Sequence, residues 1–348
     1  MEPLRVAAFS GARDVPSARF RVRQYIPWLR QHGIEMDEYY ARLSSWPPSN
    51  KLLRPFWLAG TVLDRVPSVL NSHRYDLTFL QREMVSTLQT LEPFTKRPRV
   101  IDVDDAVWLN RRGRTGFRNI VQMCDGAICG NAFIADFTRQ WHDNICLLPT
   151  AVDIDRFTPS PALQAASGRR IIGWSGLAVG LMYLYEVEKA LLPVLNKHKD
   201  VVLRVVSERP PSFKYLSRSQ FEYVPWSPAN EVRAVQEMTI GLMPVEDTPW
   251  GMGKCSYKML LYMACAVPVV VSPIGMNAEV LALGNLGFGP KSPTEWTEMV
   301  EWLLQNPDQA QSMGRTGREV VEQHYSLRVH APRMASFLRN TARPSGGS

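Results

Sequence analysis

The stretch that most constrains the fold is Gly241–Val280, GLMPVEDTPWGMGKCSYKMLLYMACAVPVVVSPIGMNAEV. It reads as a short apolar strand, a Pro/Gly-rich loop, a helix from Gly253 to about Ala266, a second apolar strand (Val267–Ser272) and a Gly-Met-Asn-Ala-Glu turn. Strand, polar loop, helix, strand is half of a doubly wound α/β domain, and such folds place ligands at the carboxyl ends of strands beside helix N-termini. Lys254, Lys258 and Tyr262 are spaced i, i+4, i+8 and so share one stripe of the expected helix, with Met259, Leu260, Met263 and Ala264 on its buried side. A lysine in a first helical turn faces the positive end of the helix dipole, at a cost of a few tenths of a kcal/mol. A bound anion reverses that sign; a solvated lysine is the competing reading. Gly253-Lys254 is not a phosphate-binding P-loop, because Thr248 stands where the first glycine belongs and Cys255 where Ser or Thr belongs.

The chain is 348 residues long, which suits two domains of about 160–170 residues. Five cysteines (Cys124, Cys129, Cys146, Cys255, Cys265) form no C-x-x-C pair, which argues for a reducing compartment and against a disulfide framework or a zinc site. With no signal-peptide core and no apolar run of membrane-spanning length, the expectation is a soluble, cytoplasmic chain. A formal charge of +7 suits a polyanionic partner: a nucleotide diphosphate, an anionic lipid headgroup or nucleic acid.

Leu4–Ser10 is expected as the first strand, Gly11 as its turn, Pro16–His32 as a helix stopped by Gly33, and Ile34–Tyr39 as the next strand. No G-x-G-x-x-G follows the first strand; Arg13, Arg19, Arg21 and Arg23 stand there instead. Arg19 and Arg23 share a face of an α-helix, and Arg13 and Arg19 are the candidates for a ligand-facing position, against a solvated charged face. Residues 44–71 mix basic and bulky groups (Trp46, Lys51, Leu52, Leu53, Arg54, Phe56, Trp57, Leu58), the composition either of a membrane-surface segment or of an acceptor-side loop and helix. Strands are expected at Tyr75–Gln81, Arg99–Val103, Asp125–Cys129 and Ile145–Pro149, then an aperiodic linker at Phe157–Arg169 and strands at Arg170–Ser175, Val201–Ser207 and Phe221–Trp226. Asp104 and Asp105 follow a strand's carboxyl end; adjacent in a ligand site, their pKa values would be driven apart as acid–base work requires. The competing role is a helix cap with a salt bridge to Arg111 or Arg112.

Leu261-Tyr262-Met263-Ala264-Cys265-Ala266-Val267-Pro268-Val269-Val270, followed by Gly275-Met276-Asn277-Ala278-Glu279-Val280, resembles the C-terminal signature of GT-B glycosyltransferases of family 4, the bacterial glycosyl transferases group 1. Pro16–Arg21 (PSARFR) and Pro149-Thr150-Ala151-Val152-Asp153 add to the resemblance. It implies an α/β GT-B fold of two Rossmann-like doubly wound domains facing a cleft: 1–160 for the acceptor, 170–325 for the nucleotide-sugar donor, a helix at 326–341 crossing back, and a disordered tail at 342–348. The family's paired glutamates fall on Lys254 and Tyr262, with Glu246 or Asp247 as replacements for the first; Gly275 and Glu279 match. The cations that relatives carry at the first donor-domain strand are absent from Gly173-Trp174-Ser175-Gly176, so Lys254 and Lys258 take over neutralising the diphosphate. The implied donor site is Lys254, Lys258, Ser175, Gly176, Trp226 (stacked on the base, or a core tryptophan), Tyr262, Gly275, Met276, Asn277 and Glu279. Asp104 or Asp105 serves the acceptor hydroxyl, and Arg13 and Arg19 are cleft cations. The resemblance further implies a retaining transferase with no metal and no cofactor beyond its nucleotide-sugar. Its acceptor is a saccharide or lipid-linked saccharide of a cell-surface polysaccharide, met at the inner face of an anionic membrane. A non-catalytic sugar- or partner-binding subunit is the alternative; nucleic-acid binding has no motif behind it.

Overall fold

The computed structural model describes residues 2–13, 15–43, 47–110, 113–166 and 168–343. Trp46, Arg111, Arg112 and 344–348 of the expected tail lie outside them. The chain forms two compact units, one of Met1–Ala151, Gly253–Cys255 and Leu327–Ser348, the other of Val152–Met252 and Ser256–Ser326.

In the first unit six parallel strands, β1 (Leu4–Ala12), β2 (Ile34–Ala41), β3 (Leu77–Gln81), β4 (Arg99–Val103), β5 (Gly126–Cys129) and β6 (Ile145–Leu147), lie in the order β2-β1-β3-β4-β5-β6. Every residue of β3 and β4 is buried, as expected where helices cover both faces of a parallel sheet. Val6, Ala8, Leu77, Phe79, Val100 and Ile128 of the sheet pack with Val22, Tyr25 and Leu29, and with Leu327, Ala331, Met334 and Leu338 of the helix Leu327–Ala342. The segment after β1 departs from the expected continuous α-helix. It runs through a π-type turn at Arg19–Arg23, where the Gln24 N–H bonds the Arg19 carbonyl at 3.0 Å. Within this turn Arg21 is buried, while Arg19 and Arg23 stay half-buried.

In the second unit β7 (Arg170–Ser175), β8 (Val201–Ser207), β9 (Phe221–Pro225), β10 (Ile240–Met243), β11 (Val269–Val271) and β12 (Gly287–Phe288) form a parallel sheet of order β12-β11-β10-β7-β8-β9. The order turns between β7 and β10, which makes their carboxyl ends the switch point where such sheets hold ligands. The core beneath is Ile172, Trp174, Leu191, Leu203, Val205, Ile240, Leu242 and Val270 with flanking helices. The stretch expected as a bare linker carries the helix Pro161–Ala166, and the Gln164 amide donates to the Met238 carbonyl at 3.0 Å.

The expected helix Gly253–Ala266 is shortened to Tyr257–Ala264, and a separate short helix, Pro249–Met252, precedes it in the loop. Ser256 has φ 51°, a left-handed conformation that interrupts helical propagation. Lys254 therefore precedes the helix, and the three-residue stripe with Lys258 and Tyr262 does not form. Lys258 occupies the first turn instead.

Candidate functional site

The helix Tyr257–Ala264 is held at both ends. Its last carbonyl, on Ala264, accepts from Arg318 Nη1 at 2.7 Å, a cation at the negative end of the helix. Near its start the side chain of Ser256 donates to Asn277 Oδ1 at 2.7 Å. The Lys258 side chain that this helix presents lies across the carboxyl end of β7: a Cβ on Gly176 would stand 2.5 Å from Lys258 Cε and 3.0 Å from Nζ, and one on Gly180 3.6 Å from Nζ. The same amine sits 4.8 Å from the Trp174 ring centroid, a cation–π contact. Trp174 is fully buried, and its Nε1 meets no hydrogen-bond acceptor among the described residues. Lys258 is partly exposed, as are Ser175 and Gly176. A half-buried Glu246 and an exposed Asp247 follow β10 on the other side of the switch point. Trp226 is half-buried just past β9, its N–H on the Ser207 carbonyl at 2.9 Å.

The remaining residues expected to touch a donor divide. Tyr262 is fully buried; its hydroxyl accepts from the Ser175 N–H at 2.9 Å, and its ring fills the space that a Cβ on Gly241 would take at 2.4 Å. It is therefore corrected to a core residue that fixes the end of β7. Met276 and Asn277 are also buried, and the Asn277 amide donates to the Ser272 carbonyl at 3.0 Å, so their side chains brace the loops. Gly275, at φ 52°, is explained by packing: a Cβ there would approach the Met252 carbonyl oxygen at 2.9 Å. Glu279 is exposed.

In the first unit Asp104 and Asp105 leave β4 into a chain of alternating charges. Asp104 accepts from Arg82 Nε at 2.6 Å, and Arg82 reaches Asp105 at 3.8 Å. The Lys254 amine donates to Asp105 at 3.0 and 3.1 Å. The local backbone is tied in as well: the Asn131 amide donates to the Lys254 carbonyl at 3.0 Å, and Cys255 Sγ to the Asp104 carbonyl at 3.1 Å. Arg82 has φ 62°, the left-handed region that costs a non-glycine residue of order 1 kcal/mol or more and that collects at functional sites. Burial works against ionisation of Asp104, but the charge and hydrogen bond of Arg82 outweigh it and hold the carboxyl below its usual range. The expectation of a base poised by its neighbour is thus corrected for Asp104, and Lys254 is corrected from a donor ligand to the partner of Asp105.

Of the N-terminal arginines, Arg13 is exposed and Arg19 lies over the Phe20 ring at 4.2 Å. It is Arg21 and Arg23 that grip strand ends. Arg21 Nε contacts both Asp102 oxygens at 3.0 and 3.1 Å with neither side chain exposed, and Arg23 holds Glu38 at 2.7 Å. The sequence reading missed Arg82 and the Arg21–Asp102 pair; Arg82 directly after an apolar strand was the available signal.

Two expected results follow from these contacts. Gly176→Ala pushes the Lys258 amine aside, since the far end of a flexible side chain yields more readily than backbone. Thermal unfolding should show little change, while the nucleotide diphosphate expected from the sequence, offered in a titration, should bind more weakly than to the unaltered chain. Asp104, ionised in the fold below its unfolded value of about 4, stabilises above that pH and loses the contribution as pH falls through its folded value. In Arg82→Gln burial is opposed only by Arg21 and the local hydrogen bonds, so acid unfolding begins at higher pH; denaturant melts between pH 3 and 7 test this.

Comparison with known proteins bears on the second unit most directly. A family model described as "Glycosyl transferases group 1" matches residues 176–306. No curated protein matches in sequence. Among solved structures, sucrose-phosphate synthase from Thermosynechococcus elongatus is similar with a TM-score of 0.73 at 15% identity over 97% of this chain and 98% of that one. HepE of Anabaena, in complex with UDP and glucose, has a TM-score of 0.70 at 13% identity, covering 97% and 100% of the two chains. WaaG, a glycosyltransferase involved in lipopolysaccharide biosynthesis, gives 0.68 at 14% identity, covering 98% and 100%. The fold is the GT-B fold, with its two parallel six-stranded sheets.

Proposed function

We propose that the protein is a glycosyltransferase that moves a sugar from a nucleotide-diphosphate-sugar to a hydroxyl group of a saccharide or lipid-linked acceptor. The observation that carries the reading is the Lys258 amine lying over Gly176 and Gly180 at the switch point of the second sheet, inside the region that matches the family model. A glycine-lined strand end with a cation across it suits a diphosphate. Negative charge grows on that group as the glycosidic bond breaks, and a fixed cation there acts on the transition state more than on the ground state. Ser175, Gly176 and Trp226 complete the donor site, with Glu279 and the pair Glu246/Asp247 as carboxylates for sugar or ribose hydroxyls. Side chains meet the leaving group in this reading, and no metal ion is called on.

Asp104 is a poor general base, its carboxyl held ionised by Arg82. This supports retention of configuration: the acceptor oxygen bonds to the anomeric carbon, the bond to the diphosphate breaks, and the departing phosphate oxygen takes the acceptor's proton. Asp105, Arg82 and Lys254 then orient the acceptor. WaaG's part in lipopolysaccharide assembly makes a cell-surface glycan, built at an anionic membrane, the acceptor class to test first.

The test is a panel of nucleotides and nucleotide-sugars, read by thermal shift and by nucleotide release with and without saccharide acceptors. A diphosphate at 100 times its Kd stabilises by about 2.7 kcal/mol, which is several degrees in Tm. Release that depends on acceptor supports transfer; no stabilisation by any nucleotide overturns the reading. A second reading, donor or partner binding without turnover, is favoured by Tyr262 lying in the core and by both aspartates being ion-paired. Stabilisation without release would select it.

A further inference from the structure

The helix Arg54–Ser72 of the first unit is built inside out. Its buried positions are Thr61, Arg65, Val69 and Ser72, three of them polar, one turn apart on one face. Its outward face is Phe56, Ala59, Leu63, Pro67 and Leu70, again at three- and four-residue steps, and all are apolar and exposed. Phe56 is 77% exposed, Leu63 69% and Leu70 67%, and Leu52 at 80% extends the stripe ahead of the helix. The buried face is held by polar bonds: Arg65 Nη1 donates to the Tyr39 carbonyl at 2.6 Å and Nη2 to that of Ser10. The helix therefore cannot roll to hide its apolar side without leaving a guanidinium unpaired. An apolar stripe about 21 Å long, from Phe56 to Leu70 at 1.5 Å per residue, is unusual on a chain that faces only water.

We infer that this stripe seats the protein on an anionic lipid bilayer, with the helix lying in the plane of the headgroups. The charges choose the occupant. Arg42 to Tyr75 carries Arg42, Lys51, Arg54, Arg65 and Arg74 against one acid, Asp64. Lys51 and Arg54 are exposed at one end of the stripe and His73 and Arg74 at the other. Asp64 is mostly covered, 4.0 Å from Arg42. Apolar side chains flanked by cations match acyl chains beneath anionic headgroups. A second copy fits worse, because a two-fold pairing of stripes in either direction sets cation against cation at both ends. No helix among the described residues is long and apolar enough to cross a membrane, so the contact is with the surface. The inference rests on this helix alone and does not require the sugar-transfer reading.

The experiment is flotation of the full chain with vesicles of phosphatidylcholine alone or with about 30% phosphatidylglycerol, at low salt and at high salt. Binding is expected only to the anionic vesicles, weakened by salt. The triple variant Phe56→Ser, Leu63→Ser, Leu70→Ser should lower the bound fraction at least tenfold, and Lys51→Glu with Arg54→Glu should weaken binding and flatten its salt dependence. Since all five side chains are exposed, unchanged circular dichroism and Tm are expected of both variants. A Phe56→Trp reporter should shift its emission to the blue on anionic vesicles. Absence of vesicle binding, equal binding by the triple variant, or a dimer in solution that the triple variant dissolves would each overturn the inference.

Discussion

Under the proposed function, replacing Lys258 by alanine lowers kcat for sugar transfer by roughly 100- to 1000-fold, the range seen when one fixed partner of a developing negative charge is removed. The amine is set by a helix clamped at both ends, over glycines that leave it room. Its contact with the Trp174 ring is worth about 0.5–2 kcal/mol. Tm should therefore change by only a few degrees while turnover collapses. The split between kcat and KM carries the information. A loss confined to KM means the amine binds donor and transition state equally, and an unchanged kcat removes Lys258 from the reacting centre. Lys254→Ala is a useful contrast: it strips a partner from Asp105, so under the proposed function its effect should follow the acceptor rather than nucleotide affinity.

The largest effect on stability is expected at Arg21. Arg21→Leu leaves the Asp102 carboxylate buried without its partner, and breaking such a pair costs roughly 3–5 kcal/mol. At about 2–4 °C per kcal/mol for a unit of this size, Tm falls by roughly 10 °C. The double variant Arg21→Leu, Asp102→Leu removes both charges and should recover part of that loss, although Arg21 also donates to the Leu148 carbonyl at 2.8 Å. A double variant no more stable than Arg21→Leu would mean that packing around the guanidinium, and not its charge, is what the pair supplies.

The strands were readable in the sequence because parallel strands buried on both faces are continuous apolar runs. Arg99–Val103, Arg170–Ser175 and Val201–Ser207 have the bounds their composition implies. The charge partners were not readable, since they join residues far apart in the chain: Arg82 with Asp104, Asp105 with Lys254, Arg21 with Asp102. Lys254 shows why. Helical spacing placed it one turn before Lys258, yet Ser256 in a left-handed conformation broke the helix between them and gave each lysine a different neighbour. Local periodicity cannot register a single backbone torsion of that kind. Tyr262 failed differently, because its alignment with a ligand position said nothing of the gap at Gly241 that draws its ring into the core.

The core of the first unit is closed by Leu327, Ala331, Met334 and Leu338, which arrive after the whole second unit has been made. A ribosome that has passed Ala151 has the 175 residues 152–326 to add before Leu327. At about 5–20 residues per second that takes roughly 9–35 s. Throughout that interval the cluster that holds Val6, Ala8 and Phe79 has Val22, Tyr25 and Leu29 in place but lacks the C-terminal helix, so the N-terminal segment completes its core only when synthesis is nearly done.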